Sequence, residues 1–112
     1  MTTKKKELIV TSALPYANGP LHFGHLLEHI QTDIWVRSQR IIGNHCIYLC
    51  ASDAHGTPIM MKAEEENISP EKLVDKYMKA HKKTLEAFQV SHDCYYQTHS
   101  EENKKYSELI YN

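Results

Sequence analysis

The chain has 112 residues, of which 41% are apolar and 24% charged, with only four glycines and four prolines. Such a length holds one compact domain, burying roughly 65% of the surface its unfolded chain exposes, and the composition excludes disorder and fibrous repeats. A net charge of -1 excludes bulk electrostatic wrapping of nucleic acid, and the three cysteines, an odd number, argue against a disulfide framework. No apolar stretch approaches the roughly 20 residues needed to span a bilayer, and Leu8, Ile9 and Val10 are too few for a signal-peptide core. The expectation is a cytoplasmic protein in a reducing compartment.

Lys4, Lys5 and Lys6 read as a solvated end ahead of the first apolar run. Leu8 to Ser12 predicts a buried strand that enters a loop carrying Pro15, Asn18, Gly19 and Pro20. From His25 to about Arg40 the spacing of Leu27, Ile30, Ile34 and Ile41 predicts an amphipathic helix, closed by Gly43. Ile47 to Ala51 predicts a second strand with Asp53 just beyond it. Pro58 to Asn67 then predicts a helix that ends in the solvated run Glu64, Glu65 and Glu66.

Ser69, Pro70 and Glu71 form a strong helix start, and Leu73, Tyr77, Leu85 and Phe88 give that helix an apolar face. Val90 to Tyr96 predicts a strand. Thr98 and Glu101 have capping-box spacing before a last helix from about Ser100. This order implies an α/β fold, a parallel sheet with crossover helices. Ligands of such sheets sit beyond the carboxyl ends of the strands, so the Ser12–His25 and Ser52–Pro58 loops are expected to share one crevice.

The first loop delivers His22-Phe23-Gly24-His25 to a helix start, where outward backbone N–H groups and the dipole favour an anion. Gly24 leaves no side chain between the imidazoles, so a nucleotide can approach the backbone. His22 and His25 can both donate hydrogen bonds to charge growing on a phosphate, each contributing about 3 kcal/mol to the transition state. Asp53, at a strand end, can pair with an ammonium group; taken alone it better suits capping of the next turn.

His22-Phe23-Gly24-His25 resembles the HIGH signature of class I aminoacyl-tRNA synthetases, with Phe23 as a packing variant of the usual aliphatic residue. Thr11 through Gly19 looks like the version of that loop found in methionyl-tRNA synthetases. Ser52-Asp53-Ala54-His55-Gly56-Thr57-Pro58 resembles their second loop, although Ser52 stands where some relatives carry an acidic residue. Thr98 through Asn103 and Ser107 through Tyr111 are similar to the family too, so the resemblance covers essentially all of the chain after Lys6.

The resemblance implies a Rossmann-like fold of class I synthetase type, incomplete, with residues 1–112 as the amino-terminal part of the catalytic domain. It implies that His22, Gly24, His25 and Asn18 bind ATP, which carries Mg2+, with His22 and His25 catalytic. Ala13, Leu14, Tyr16 and Asp53 would bind methionine, the Tyr16 ring meeting a thioether for up to about 1.5 kcal/mol. The partners implied are methionine, ATP and tRNA(Met). The KMSKS loop, a zinc-bearing insertion and the anticodon-binding helices of the family would lie beyond Asn112. The 112 residues alone are therefore expected to be marginally stable or self-associated, with little aminoacylation.

Two other readings have residues behind them. His25-Leu26-Leu27-Glu28-His29 matches the H-x-x-E-H pattern of a zinc metallopeptidase. A non-catalytic methionine- or nucleotide-binding module could use the same loops. His45, Cys46 and Cys50 also suggest a metal, but on a strand Cys46 and Cys50 stand about 13 Å apart at roughly 3.3 Å per residue. Buried free thiols, with no metal ligand assigned, are the expectation.

Overall fold

Seven elements follow one another: β1 (Glu7–Thr11), α1 (Phe23–Ile41), β2 (His45–Ser52), α2 (Thr57–Glu65), α3 (Pro70–Ala87), β3 (Cys94–Gln97) and α4 (Glu101–Tyr111). They come from a computed structural model, which describes residues 4–112. The strands lie in the order β1-β2-β3, both pairs parallel, with Leu8 opposite Cys46 and Leu49 opposite Cys94. The element order matches the sequence reading throughout.

Each crossover steps to the next strand in the same direction, and successive steps of one hand deliver their helices to one face of the sheet. Accordingly Val36 of α1 and Leu85 of α3 share a core with Cys46 and Tyr48 of β2 and with Val90, and Leu8, Val10 and Tyr95 pack against it. Strand alternation sends Ile9, Ile47, Leu49, Cys94 and Tyr96 to the other face. There Ile9 is 74% exposed and Tyr96 47%. The sheet is thus half-covered.

A second small core joins α2 and α3 to the loops above the sheet. Ile59, Ala63, Leu73 and Val74 enclose Ala17 of the first loop and Ala54 of the second. Both loops are pinned at their midpoints by burial.

The face of α1 departs from the apolar spacing. Ile34 and Ile41 are exposed and Leu27 half so, while His29, Asp33 and Val36 are buried. The polar pair turns inward because each has distant partners. His29 Nδ1 meets Ser12 Oγ at 3.1 Å, and Asp33 accepts from the Ser91 N–H at 2.7 Å, with its local i+4 neighbour Arg37 adding an Nε bond at 2.7 Å. At the C-terminal cap of α3, Phe88 is likewise exposed, and within the helix His81 takes the buried place between Tyr77 and Leu85.

Ser69 caps α3 as its sequence implies, accepting from the Lys72 N–H. Thr98 does not cap α4. Its hydroxyl accepts from the Ala54 N–H at 2.9 Å, and Ser100 accepts from the Asn103 N–H instead. The side chain two residues earlier is already committed to the second loop.

Candidate active site

The carboxyl ends of β1 and β2 continue into two loops that go on pairing after the strands end. The Asp53 N–H donates to the Pro15 carbonyl and the Ala17 N–H to the Asp53 carbonyl, each at 2.8 Å, forming a parallel bridge between Tyr16 and Asp53. Tyr16 and Asp53 are thereby neighbours. The Asp53 carboxylate accepts only a long 3.5 Å contact from the His55 N–H among the described residues, which leaves most of its acceptor capacity free.

Gly56 follows at φ +128, a conformation that suits glycine, and a β-carbon there would run into the Tyr16 hydroxyl. Beside it lies a concavity of about 200 Å³ lined by Ala54, His55, Gly56, Ile59 and His99, among others. Ala13 and Leu14 are exposed, and Asn18 is half-buried with its N–H donating to the Tyr16 carbonyl.

The far side of the first loop is held by His81. Its Nε2–H donates to the Gly19 carbonyl at 2.6 Å, so its Nδ1 is an acceptor, here for the Ser52 hydroxyl at 3.0 Å. Tyr95 then donates to Ser52 at 2.8 Å. Tyr95, Ser52, His81 and Gly19 form one directed chain running from β3 through β2 and α3 to the loop. Burial pushes the His81 imidazole below its usual range, with the Gly19 bond opposing in part. It works as a neutral positioning group.

The two loop histidines are stacked, with ring centroids 3.8 Å apart. His22 caps α1 by accepting the Gly24 N–H at Nδ1 (3.0 Å), while His25 Nδ1 accepts the His22 N–H at 3.2 Å. With both Nδ1 atoms acting as acceptors, the neutral rings carry their protons on Nε2 and keep those N–H groups for something else. Burial, then the neighbouring His22 and His81, hold His25 below the usual imidazole range, against Glu28. Gly24 leaves room for the His22 ring: a β-carbon there would meet His22 Cε1 at 2.9 Å. Phe23 is 80% exposed, so it is not a packing residue within this chain.

The H-x-x-E-H arrangement is dismantled by its own contacts. The Glu28 carboxylate accepts the Ala13 N–H at 2.6 Å and so anchors the loop, while His29 faces the sheet and Ser12. Cys46 lies in the main core, Cys50 is buried further along the same face, and His45 is exposed.

The family described as "tRNA synthetases class I (M)" matches residues 8–112. The chain belongs to this family. Among class I synthetases, it is 56% identical over 107 residues to a methionine--tRNA ligase of Wigglesworthia glossinidia brevipalpis, covering 96% of this chain and 20% of that protein. A methionine--tRNA ligase of Leptospira biflexa is 57% identical over 106 residues, covering 95% and 16%. The chain thus spans a fifth or less of the curated relatives it matches. The methionyl-tRNA synthetase of Mycobacterium tuberculosis, solved in complex with methionyl-adenylate, superposes with a TM-score of 0.92 at 25% identity, over 95% of this chain and 21% of that one. The half-covered sheet is therefore the Rossmann-like sheet of the class I synthetases.

Sequence reasoning picked out both loops of this synthetase domain but missed His81, Glu28 and the backing role of Gly56. The signal for His81 was present. Leu73, Tyr77, His81 and Leu85 recur every fourth residue on α3, which sets the imidazole in the apolar stripe.

Proposed function

We propose that residues 1–112 form the amino-terminal part of a methionine--tRNA ligase catalytic domain and supply its methionine and ATP contacts. The methionine carboxylate attacks the α-phosphate of ATP, pyrophosphate leaves, and methionyl-adenylate results; the 3′ end of tRNA(Met) then accepts the methionyl group. His22 and His25 donate from Nε2 to charge developing at that phosphate, and Gly24 and Asn18 line the approach of the nucleotide. Asp53 holds the methionine ammonium, with Ala13, Leu14 and Tyr16 around the side chain. Mg2+ travels with the nucleotide phosphates, and the family's zinc belongs to the insertion expected beyond Asn112. The setting is cytoplasmic.

One observation carries this reading. The Tyr16–Asp53 bridge ties the loop that bears the two Nε2–H donors to a carboxylate with spare acceptor capacity. The methionyl-adenylate named for the M. tuberculosis structure is a ligand of the kind these groups suit. A metallopeptidase reading lacks a free Glu28, and a bare binding module leaves the fixed tautomers of His22 and His25 without a purpose.

The test is methionine-dependent ATP–pyrophosphate exchange in a polypeptide that continues past Asn112. Loss of a charge-assisted hydrogen bond worth about 1.5–3 kcal/mol in Asp53→Asn raises the methionine KM roughly 10- to 150-fold and leaves the ATP KM unchanged. An unchanged methionine KM refutes the assignment of Asp53.

A further inference from the structure

Behind the first loop, between α1 and the sheet, three ligand-type side chains converge. His29 comes from α1, Cys50 from β2 and His92 from the segment that enters β3. One donor atom of each lies within 4.8 Å of the donor atoms of the other two. His29 is 1% exposed, Cys50 6%, and His92 is half-buried. The Nε2 atoms of both histidines are shut off from solvent and have no hydrogen-bond partner among the described residues. Buried imidazole nitrogens without partners are rare enough to require a cause.

The geometry points to a structural zinc site: one divalent ion held by His29 Nε2, Cys50 Sγ and His92 Nε2, with a solvent molecule as fourth ligand. Two imidazoles bound at roughly 2.05 Å to a tetrahedral ion have ring centroids about 5.2 Å apart. The His29 and His92 centroids are 5.5 Å apart. Tetrahedral ligand edges of about 3.4–3.6 Å require the donor atoms to close by about 1 Å, within reach of small side-chain rotations. Two imidazoles with a thiolate suit zinc and not magnesium or calcium, which take oxygen.

The surroundings fit a ligand set of this kind. Tyr48 donates to Ser12 Oγ at 3.0 Å, and the Ser12 hydroxyl is 3.6 Å from Cys50 Sγ. With its proton given to that sulfur, Ser12 accepts from His29 Nδ1–H, which leaves the His29 Nε2 lone pair bare. An outer hydrogen bond of that kind orients metal-binding histidines in general. Burial holds both imidazoles below their usual range, His92 at about 4, so neither lone pair is taken by a proton at pH 7. Burial raises the Cys50 thiol, and zinc displaces its proton to solvent on binding. The ion would tie α1 to β2 and to the start of β3, directly beneath Ser12 where the first loop begins. It uses His29 without His25, so it is not the peptidase arrangement. It is equally separate from the zinc expected beyond Asn112.

The experiment uses the 112-residue chain, purified without chelator, and compares it with Cys50→Ser and His92→Phe. Elemental analysis is expected to find one zinc per chain in the parent and none in either variant. Cobalt(II) titrated into the metal-free parent is expected to give a thiolate-to-cobalt charge-transfer band that saturates at one equivalent, and this does not depend on either variant folding. Zinc added to the metal-free parent raises its Tm and leaves that of His92→Phe unmoved. Equal metal in parent and variants, no thiolate band, or a Tm indifferent to zinc overturns the site; a buried water linking the three side chains gives that pattern.

Discussion

Gly56 lies directly beneath the Tyr16 hydroxyl: a β-carbon on Gly56 would stand 2.7 Å from the phenolic oxygen. Nothing so close is tolerated, and φ +128 is itself strained for an L side chain. Gly56→Ala therefore both destabilises the second loop, by about 1–3 kcal/mol, and displaces the Tyr16 ring. If Tyr16 walls the methionine side chain, the methionine KM rises while the ATP KM holds in pyrophosphate exchange on the longer polypeptide. Tyr16→Phe removes the hydroxyl and is expected to relieve part of the loss in the double variant. A double variant no better than Gly56→Ala alone would place the damage in the backbone.

The stacked histidines give a second prediction. The Gly24 N–H bond to His22 Nδ1 and the His22 N–H bond to His25 Nδ1 fix both tautomers. His22→Asn or His25→Asn removes one Nε2–H donor and is expected to lower kcat for pyrophosphate exchange about 10²- to 10³-fold with small changes in KM. Gly24→Ala leaves both histidines in place but pushes the His22 ring, and it is expected to behave like His22→Asn. Full activity in Gly24→Ala would mean that the His22 ring position does not matter.

How legible this was in the chain differs from element to element. Strand and helix order was readable because loops rich in proline and glycine separate short apolar runs, and the meeting of two loops followed from parallel topology alone. The buried face of α1 was not. His29 and Asp33 are polar, and what permits their burial, Ser12 and Ser91, lies 17 and 58 residues away. Periodicity registers apolar spacing and is blind to a carboxylate whose partners are that distant. Thr98 misled for a similar reason, since its local spacing was right for a cap while its hydroxyl was held by Ala54. The loops were found from motif residues; the groups that hold them, His81 and Glu28, act through backbone atoms, which leave no pattern in sequence.

His81 carries a pH dependence whose sign can be worked out. Its folded-state pKa is lowered from 6.5, so below that pH the unfolded chain binds a proton that the folded chain refuses. Stability therefore falls as pH drops below about 6.5, by up to about 1.4 kcal/mol per pH unit for this group, until the folded value is reached. His81→Gln, which can still donate to Gly19, is expected to flatten that slope relative to the parent in urea unfolding at a series of pH values. An identical slope in the variant would assign the dependence to the other buried imidazoles. His81→Ala is expected to leave the Gly19 carbonyl unpaired and to weaken methionine binding through the loop.

The open sheet face sets the behaviour of the chain in isolation. Parallel sheets are ordinarily covered on both sides, and here Ile9, Ile47, Leu49, Cys94 and Tyr96 lie on the side opposite the core that α1 and α3 form with the sheet. Ile9, at 74% exposure on the edge strand β1, can accept a charge without entering the core. The isolated 112 residues are expected to associate at micromolar concentration and to bind a hydrophobic dye. Ile9→Lys should shift the sedimentation profile toward monomer while changing the free energy of unfolding by no more than about 0.5 kcal/mol. In a polypeptide that covers this face the same substitution would bury an ammonium group and cost several kcal/mol. A neutral effect in both settings would mean that the face stays open to solvent in the longer protein as well.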